Sequence, residues 1–344
     1  MSKARVTIRS VAEACEVSVP TVSQILNGKG WYSEATRAKV LATAEQLGYR
    51  KNAYAQAVAN GRFGAVALLL AAQHASSLLP AGMLAGIERA IGEREQILSL
   101  ARLPDQTLTD AGYVPRILQQ LSCDGLLILY NSKVPKRMVE LVETHGLPAI
   151  WLNDQREQDA VRPDDRMAGR LAVEHLVAHG HRRIAYAALG WSKKRHATHY
   201  SGREREIGYL EAMQAAGLEP YIIGPDDGPG LEYAERFAYM REQFAAGRVP
   251  PAVIGYNGEN AAVVVGTAIA AGLTLGRDIS VVSIDDQNRL DIGLFVDLVR
   301  LPFQAMGRAS VEMLMERLEH GGHCESRVLP VEVVPHGSVG PPPA

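Results

Sequence analysis

The sequence holds few residues spaced for catalysis. The nucleophile motif G-x-S-x-G, the metalloprotease motif H-E-x-x-H and the phosphate loop G-x-x-x-x-G-K-[ST] are all absent. Gly224-Pro-Asp-Asp-Gly-Pro-Gly230 is glycine-rich, but its prolines read as a turn rather than a phosphate cradle. Cys15, Cys123 and Cys324 lie far apart with no C-x-x-C, so neither a zinc site nor a disulfide framework is expected. Each reads as a small buried apolar residue. No cofactor and no metal is expected. The basic run Lys193-Lys-Arg-His-Ala-Thr-His199 has two readings, an anionic ligand such as a sugar acid or a solvated loop. The chemistry on offer is binding.

Charge is unevenly spread. Residues 1–60 carry eight basic and four acidic groups, a net of +4, against −6 for the rest of a chain totalling −2. A small basic head on an acidic body implies an anionic partner for the head. With 47% apolar and 22% charged residues, the chain is neither disordered, collagen-like nor a disulfide scaffold. Its longest apolar run, Ala65–Ala72, is far shorter than the ~20 residues of a membrane helix. The first residues lack a signal peptide's apolar stretch, so a cytoplasmic protein with no membrane partner is expected.

The head reads as three short helices. Val11, Ala12 and Cys15 share one face of the first, Ile8 to Cys15. Ser18 can cap a second, Val19 to Leu26, with Pro20 tolerated in its first turn and Val22, Ile25 and Leu26 inward. After the turn Asn27-Gly-Lys-Gly30, Ser33 can cap a third helix, with Val40, Leu41, Ala44 and Leu47 inward and Gly48 at its exit. Helix, tight turn and capped helix fit a helix-turn-helix, and equally a generic three-helix bundle. Ala53 to Ala59, capped by Asn52, is too short to be a stable helix alone.

From Phe63 short apolar strands alternate with amphipathic helices. Strands are expected at 65–70, 97–100, 125–130, 149–153, 184–189, 253–256 and 279–284. Helices are expected at 83–94, 113–121, 136–145, 169–179, 204–216, 232–246, 260–271 and 303–320. This alternation implies parallel sheets flanked by helices, too many elements for one ordinary sheet, and a ligand at the carboxyl ends of the strands. The fold class is therefore a small all-α head on an α/β body of two subdomains with parallel sheets.

The head carries Val6-Thr-Ile-Arg-Ser-Val-Ala-Glu-Ala-Cys-Glu-Val-Ser-Val-Pro-Thr-Val-Ser-Gln-Ile-Leu-Asn27, then Ser33-x-x-Thr36-Arg37-x-x-Val40, Leu47-Gly-Tyr49 and Asn52-x-x-Ala55. The body carries Gly86-Ile-Glu88, Cys123-Asp-Gly-Leu-Leu-Ile-Leu129, Leu147-Pro-Ala-Ile150 and Asp164-Asp-Arg-Met-Ala-Gly169. His175-Leu-Val-Ala-His-Gly-His-Arg-Arg-Ile-Ala185, Arg205-x-x-Gly208-Tyr209 and Asp278-Ile-Ser-Val-Val-Ser-Ile-Asp-Asp286 follow. In that order, over nearly the whole chain, these segments resemble the lac repressor (LacI/GalR) family.

The resemblance implies a sequence-specific transcriptional regulator, a repressor, binding a pseudo-palindromic double-stranded DNA operator as a homodimer. A small polar effector, a sugar or sugar acid, would sit in a body like that of a periplasmic binding protein. It implies a helix-turn-helix domain at 1–50, a hinge at 51–62 and a ligand-binding and dimerisation domain at 63–340. The latter's subdomains would be 63–161 with 300–325, and 162–299 with 326–340. Val19, Pro20 and Gln24 match base-reading positions; Thr21, Ser23 and Asn27 match backbone-contacting ones. Ser18, Tyr49, Asn52, Ala55 and Val58 complete the implied DNA-binding set. Gln24 can contact adenine at two points, where the family usually has Arg for guanine. Val58 stands at the usual leucine wedge position and is shorter, so any intercalation is shallower.

Arg205 matches a position that often clamps sugar oxygens, and its planar fork suits hydroxyls or carboxylates. His74, Ser77, Asn153, Asn257 and Asp285 are further ligand candidates, the last three also readable as strand-end caps. The chain departs from the family at Leu79-Pro80, Asn257-Gly258 and Asp297-Leu-Val299, so no relative's effector transfers. Residues 337–344 lack apolar heptads, which favours a dimer over a coiled-coil tetramer. Two other readings compete with this one. A cytoplasmic small-molecule binding protein without DNA activity is opposed by the basic head, and an α/β enzyme by the missing motifs.

Overall fold

The computed structural model describes residues 6–50, 62–71, 79–103, 122–130, 134–190, 199–226, 230–288 and 295–343. His74, Ser77, Asn52, Ala55, Val58, the expected helix at 113–121 and residues 193–198 of the basic run lie outside the described residues. The chain divides into two compact units, Met1–Gly64 and Ala65–Ala344.

The first unit contains α1 (Ile8–Cys15), α2 (Val19–Leu26) and α3 (Glu34–Gln46). Each starts at a hydroxyl that accepts a backbone N–H no helix could satisfy. Thr7 accepts from Ser10, Ser18 from Thr21 at 3.2 Å and Ser33 from Thr36 at 3.1 Å. Pro20 sits in the first turn of α2, where its missing N–H costs nothing. The core is Val11, Ala12, Cys15, Val22, Ile25, Val40 and Ala44. Leu41 and Leu47, expected inward, are exposed, because α3 turns only Val40 and Ala44 fully inward. Leu26 is only half-buried, at the last turn of α2.

The second unit contains two six-stranded sheets. The first comprises β1 (Ala65–Ala71), β2 (Ile97–Leu103), β3 (Gly125–Leu129), β4 (Ala149–Leu152), β5 (Ala160–Pro163) and β11 (Arg327–Leu329), in the order β11-β5-β4-β3-β1-β2. The second comprises β6 (Ile184–Ala187), β7 (Tyr221–Ile223), β8 (Ala252–Gly255), β9 (Ser280–Asp285), β10 (Asp297–Arg300) and β12 (Glu332–Val334), in the order β12-β10-β9-β8-β6-β7. All pairings are parallel except β10 with β12. The inner strands β1, β3, β4, β6 and β8 are buried at every residue, which is why they read as unbroken apolar runs.

Helices α4 (Ala81–Gly92), α5 (Lys136–Thr144) and α10 (Phe303–His320) go with the first sheet. Helices α6 (Asp165–Ala178), α7 (Tyr200–Ala215), α8 (Tyr233–Ala245) and α9 (Gly258–Ala270) go with the second. The chain changes sheets after Pro163, again near Leu301, and last between Leu329 and Glu332. That last change falls later than the 325/326 boundary expected, because β11 pairs with the edge of β5 before the chain leaves.

Asp297, a departure from the family pattern, ties the tail to the second sheet. It accepts from His175 Nε2 at 2.7 Å, His336 N at 2.8 Å and Ser338 N at 3.0 Å. Although burial opposes its charge, these donors, led by His175, hold its pKa at about 2. Of the cysteines only Cys15 is buried. Cys123 and Cys324 are half-buried, and the Cys324 thiol donates to Asp159 Oδ1 at 3.3 Å. Among the described residues no helix is long and apolar enough to cross a membrane, and no cluster of three metal-ligating side chains occurs.

Candidate DNA-reading helix and ligand site

Helix α2 buries Val22 and Ile25, which leaves the opposite face to solvent. Ser18, Val19, Pro20, Gln24 and Asn27 are exposed; Thr21 and Ser23 are half-exposed. The sequence-matched base-reading residues thus stand on one open strip. Ser18 and Thr21 hydroxyls are bonded to each other at 2.8 Å, so both serve the cap. Asn27 is the C-terminal cap residue of α2. Tyr49 is half-buried against the head core and stays in place through its N–H to Ala44 O at 2.8 Å. Trp31, in the turn after α2, is fully exposed, and the sequence reading did not single it out.

In the body, α6 and α7 cross with their backbones in contact. A Cβ on Gly169 would lie 2.0 Å from Arg205 O, and one on Gly208 would lie 1.9 Å from Arg166 O. Only glycine permits that approach. Asp165 lies one turn before Gly169 and Arg205 one turn before Gly208, so the crossing brings them together. Arg205 Nε donates to Asp165 Oδ1 at 2.7 Å, with both side chains buried. Arg205 Nη1 donates to Tyr256 O at 2.9 Å, and the guanidinium lies 4.8 Å from the centre of the Tyr256 ring. Burial works against the cation, but Asp165 foremost holds its pKa above the ordinary arginine value.

A directed chain of hydrogen bonds leads from this pair to the first sheet. Burial lowers the pKa of His199, so the ring is neutral at neutral pH. Its Nε2 faces Asn153 O at 3.1 Å and must carry the proton, since a carbonyl only accepts. Its Nδ1 then accepts from Ser201 Oγ at 2.8 Å, and Ser201 Oγ accepts in turn from Tyr256 Oη at 2.9 Å. Tyr200 Oη donates to Asn153 Oδ1 at 2.9 Å. Asn153 follows β4 with a left-handed φ of 57°, which turns it onto this network.

The structure therefore brings Asn153 and Arg205 into one network. It places Asn257 and Asp285 nearby in the fold but on the amino end of α9. Asn257 Oδ1 accepts from Asn260 N at 3.0 Å, and Asp285 Oδ2 accepts from Gly258 N at 2.8 Å. Asp286, beside Asp285, is pushed up to about 7 by burial and then by the neighbouring carboxylate. Its Oδ2 lies 3.0 Å from where a Cβ on Gly82 would stand, in the first turn of α4, so a residue after the second sheet meets a helix of the first.

Asp165, Tyr200, Ser201, Tyr256 and Asp286 were not singled out by sequence. His199, read as part of a solvated or anion-binding run, is instead half-buried and caps α7, because its ring fills the space beside Tyr200. The helical spacings 165/169 and 205/208 carried a signal for the Asp165–Arg205 pair that went unread.

These features define a class: a helix-turn-helix head joined in one chain to a two-sheet body with a polar site at its strand ends. Residues 7–52 match the family described as bacterial regulatory proteins, lacI family, and residues 173–339 match the periplasmic binding protein-like domain. The chain thus joins a lacI-family DNA-binding domain to a periplasmic binding protein-like domain, the make-up of a DNA-binding transcriptional regulator.

The chain is 26% identical over 334 residues to the HTH-type transcriptional repressor PurR of Photobacterium profundum, covering 94% of each. It is 32% identical over 217 residues to the maltose regulon regulatory protein MalI of Escherichia coli, covering 62% of this chain and 61% of that one. Its fold matches a crystal structure of the lac repressor dimer bound to operator and the anti-inducer ONPF. The TM-score is 0.79 at 24% identity, covering 98% of this chain and 99% of that one.

Proposed function

We propose that this regulator represses transcription by binding a pseudo-palindromic operator as a homodimer, and that a small neutral polyol in the body controls it. The observation that carries the reading is the open strip of α2, where Val19, Pro20 and Gln24 stand exposed above a packed three-helix core. Gln24 reads adenine; Val19 and Pro20 offer apolar contact to a thymine methyl. Thr21, Ser23 and Asn27 serve the phosphate backbone. Hinge residues Asn52, Ala55 and Val58 enter the minor groove on this reading, with Val58 as a shallow wedge. The protein works in the cytoplasm, beside its DNA, and catalyses nothing.

The effector class follows from charge. Arg205 is already neutralised by Asp165, and Asp285 adds a carboxylate at the same strand ends. A sugar acid would find Arg205 already paired and would have to turn to Arg162, whose charge reaches Tyr200, whereas hydroxyls could bond Arg205, Asn153 and the Asp165 oxygen Oδ2. That oxygen is buried with no partner among the described residues. We place His74 and Ser77 on the same site from their position after β1.

Selection of bound sequences from a random DNA pool, with purified full-length protein at fixed moderate salt, tests the reading. A palindrome with a fixed centre is expected. Uniform, salt-sensitive binding with no enriched sequence would contradict it.

A further inference from the structure

Gln24 is exposed on α2 and, left alone, would sample many rotamers. It is not left alone. The Tyr32 hydroxyl donates to Gln24 Oε1 across the turn that follows the helix. Tyr32 itself is anchored, its ring packing against the head core. The turn between them is closed by Lys29 N donating to Gln24 O at 2.8 Å, Gly28 N to Ile25 O at 3.0 Å and Arg37 Nη2 to Gly30 O at 3.4 Å.

Gly30 makes the contact possible. Its φ of 79° suits glycine, and a Cβ there would lie 2.6 Å from Tyr32 Cε2 and 2.9 Å from Gln24 Oε1. Gln24, Gly30 and Tyr32 are therefore one constellation, which no spacing rule for helix-turn-helix heads picks out.

The hydrogen-bond inventory says what this arrangement leaves available. A carboxamide oxygen has two acceptor positions and its nitrogen two donors. Tyr32 occupies one acceptor position, leaving one acceptor and two N–H groups. The major-groove edge of adenine asks for one acceptor, for its N6–H, and one donor, for N7. The anchored Gln24 thus keeps the full adenine-reading pair, with its amide plane fixed by a side chain rooted in the core.

We propose that Tyr32 is a specificity-determining positioning residue, orienting Gln24 for adenine without itself reading a base. The inference rests on the DNA-reading role proposed above for α2.

The test measures relative affinities at each operator position for the full-length wild type, Tyr32→Phe, Gln24→Ala and the double variant. Tyr32→Phe keeps the packed ring and removes only the hydroxyl. The adenine preference at the Gln24 position is expected to fall on the order of fivefold, the worth of one ordinary hydrogen bond. Other positions and the salt dependence should stay unchanged, and Tyr32→Phe should add nothing once Gln24 is alanine. Gly30→Ala, which drives the Tyr32 ring away, should give the same one-position loss. An unchanged preference, equal weakening at all positions, or an undiminished effect in the Gln24→Ala background would overturn the proposal. A wild type that enriches no sequence at all would overturn the DNA-reading role itself, and Tyr32's with it.

Discussion

Replacing Arg205 by alanine leaves Asp165 with a fully buried side chain and no cation. Asp165 Oδ1 loses its 2.7 Å donor, and Oδ2 has no partner among the described residues. Breaking a buried pair from one side costs about 3–5 kcal/mol, because the surviving charge stays uncompensated. A folding unit as large as this body shifts by roughly 2–4 °C per kcal/mol, so the melting temperature should fall by about 6–20 °C. One control separates charge from packing. Adding Asp165→Asn to Arg205→Ala should recover much of the loss. Thermal unfolding of full-length protein, followed by near-ultraviolet circular dichroism, reads it. Operator affinity should survive below the melting temperature, while response to the effector disappears. A melting temperature within about 2 °C of wild type would refute the buried-pair argument. So would a loss that Asp165→Asn fails to relieve.

Three further outcomes follow from the geometry. Gly208→Ala would put a Cβ 1.9 Å from Arg166 O, prise α6 from α7 and cost about 3 kcal/mol or more, visible as a lowered denaturation midpoint. Asp297 has a folded pKa of about 2, below the ordinary carboxyl value, so its stabilisation is present above about pH 4 and lost as pH falls toward 2. Asp297→Asn should therefore be less stable at pH 6 and show a flatter decline between pH 4 and 2 in pH-dependent melts. Asp286 has the opposite sign. Its folded pKa of about 7 lies above the ordinary value, so its contribution is full below about pH 4 and is lost as pH rises through 7. Asp286→Asn should remove that decline, and a decline that persists in the variant would assign it to another group.

Legibility in the sequence followed burial. Strands covered on both faces, such as β1 and β3, announce themselves as apolar runs. Strands β5, β7, β10, β11 and β12 did not, because each leaves at least one residue incompletely buried and so forms no unbroken apolar run, whereas the equally short β4, β6 and β8 are buried throughout. Two of them also carry residues that read as loop, the Arg162-Pro163 end of β5 and the buried Asp297 that opens β10. The caps Ser18 and Ser33 were legible because a hydroxyl before an apolar period has one local use. Leu41 and Leu47 misled, since periodicity marks a face but not how much of it the neighbours cover.

In the site, Arg205 was legible from its motif, but its partner was not. Asp164 and Asp165 are neighbouring carboxylates that the sequence does not tell apart, and only the crossing of α6 over α7 shows that Asp164 caps while Asp165 pairs. Tyr32 was hidden for a related reason: it lies in a turn, where tertiary contact rather than periodicity gives a side chain its task.

The most direct test of the whole account is reciprocity between the two binding events. Affinity for the selected operator would be measured against a panel of neutral sugars and sugar acids, and affinity for each active compound with and without operator. A neutral sugar is predicted to change operator affinity by about 5- to 150-fold, and operator to change that sugar's affinity by the same factor. A panel in which compounds raise the melting temperature of the body yet leave operator affinity untouched would contradict it.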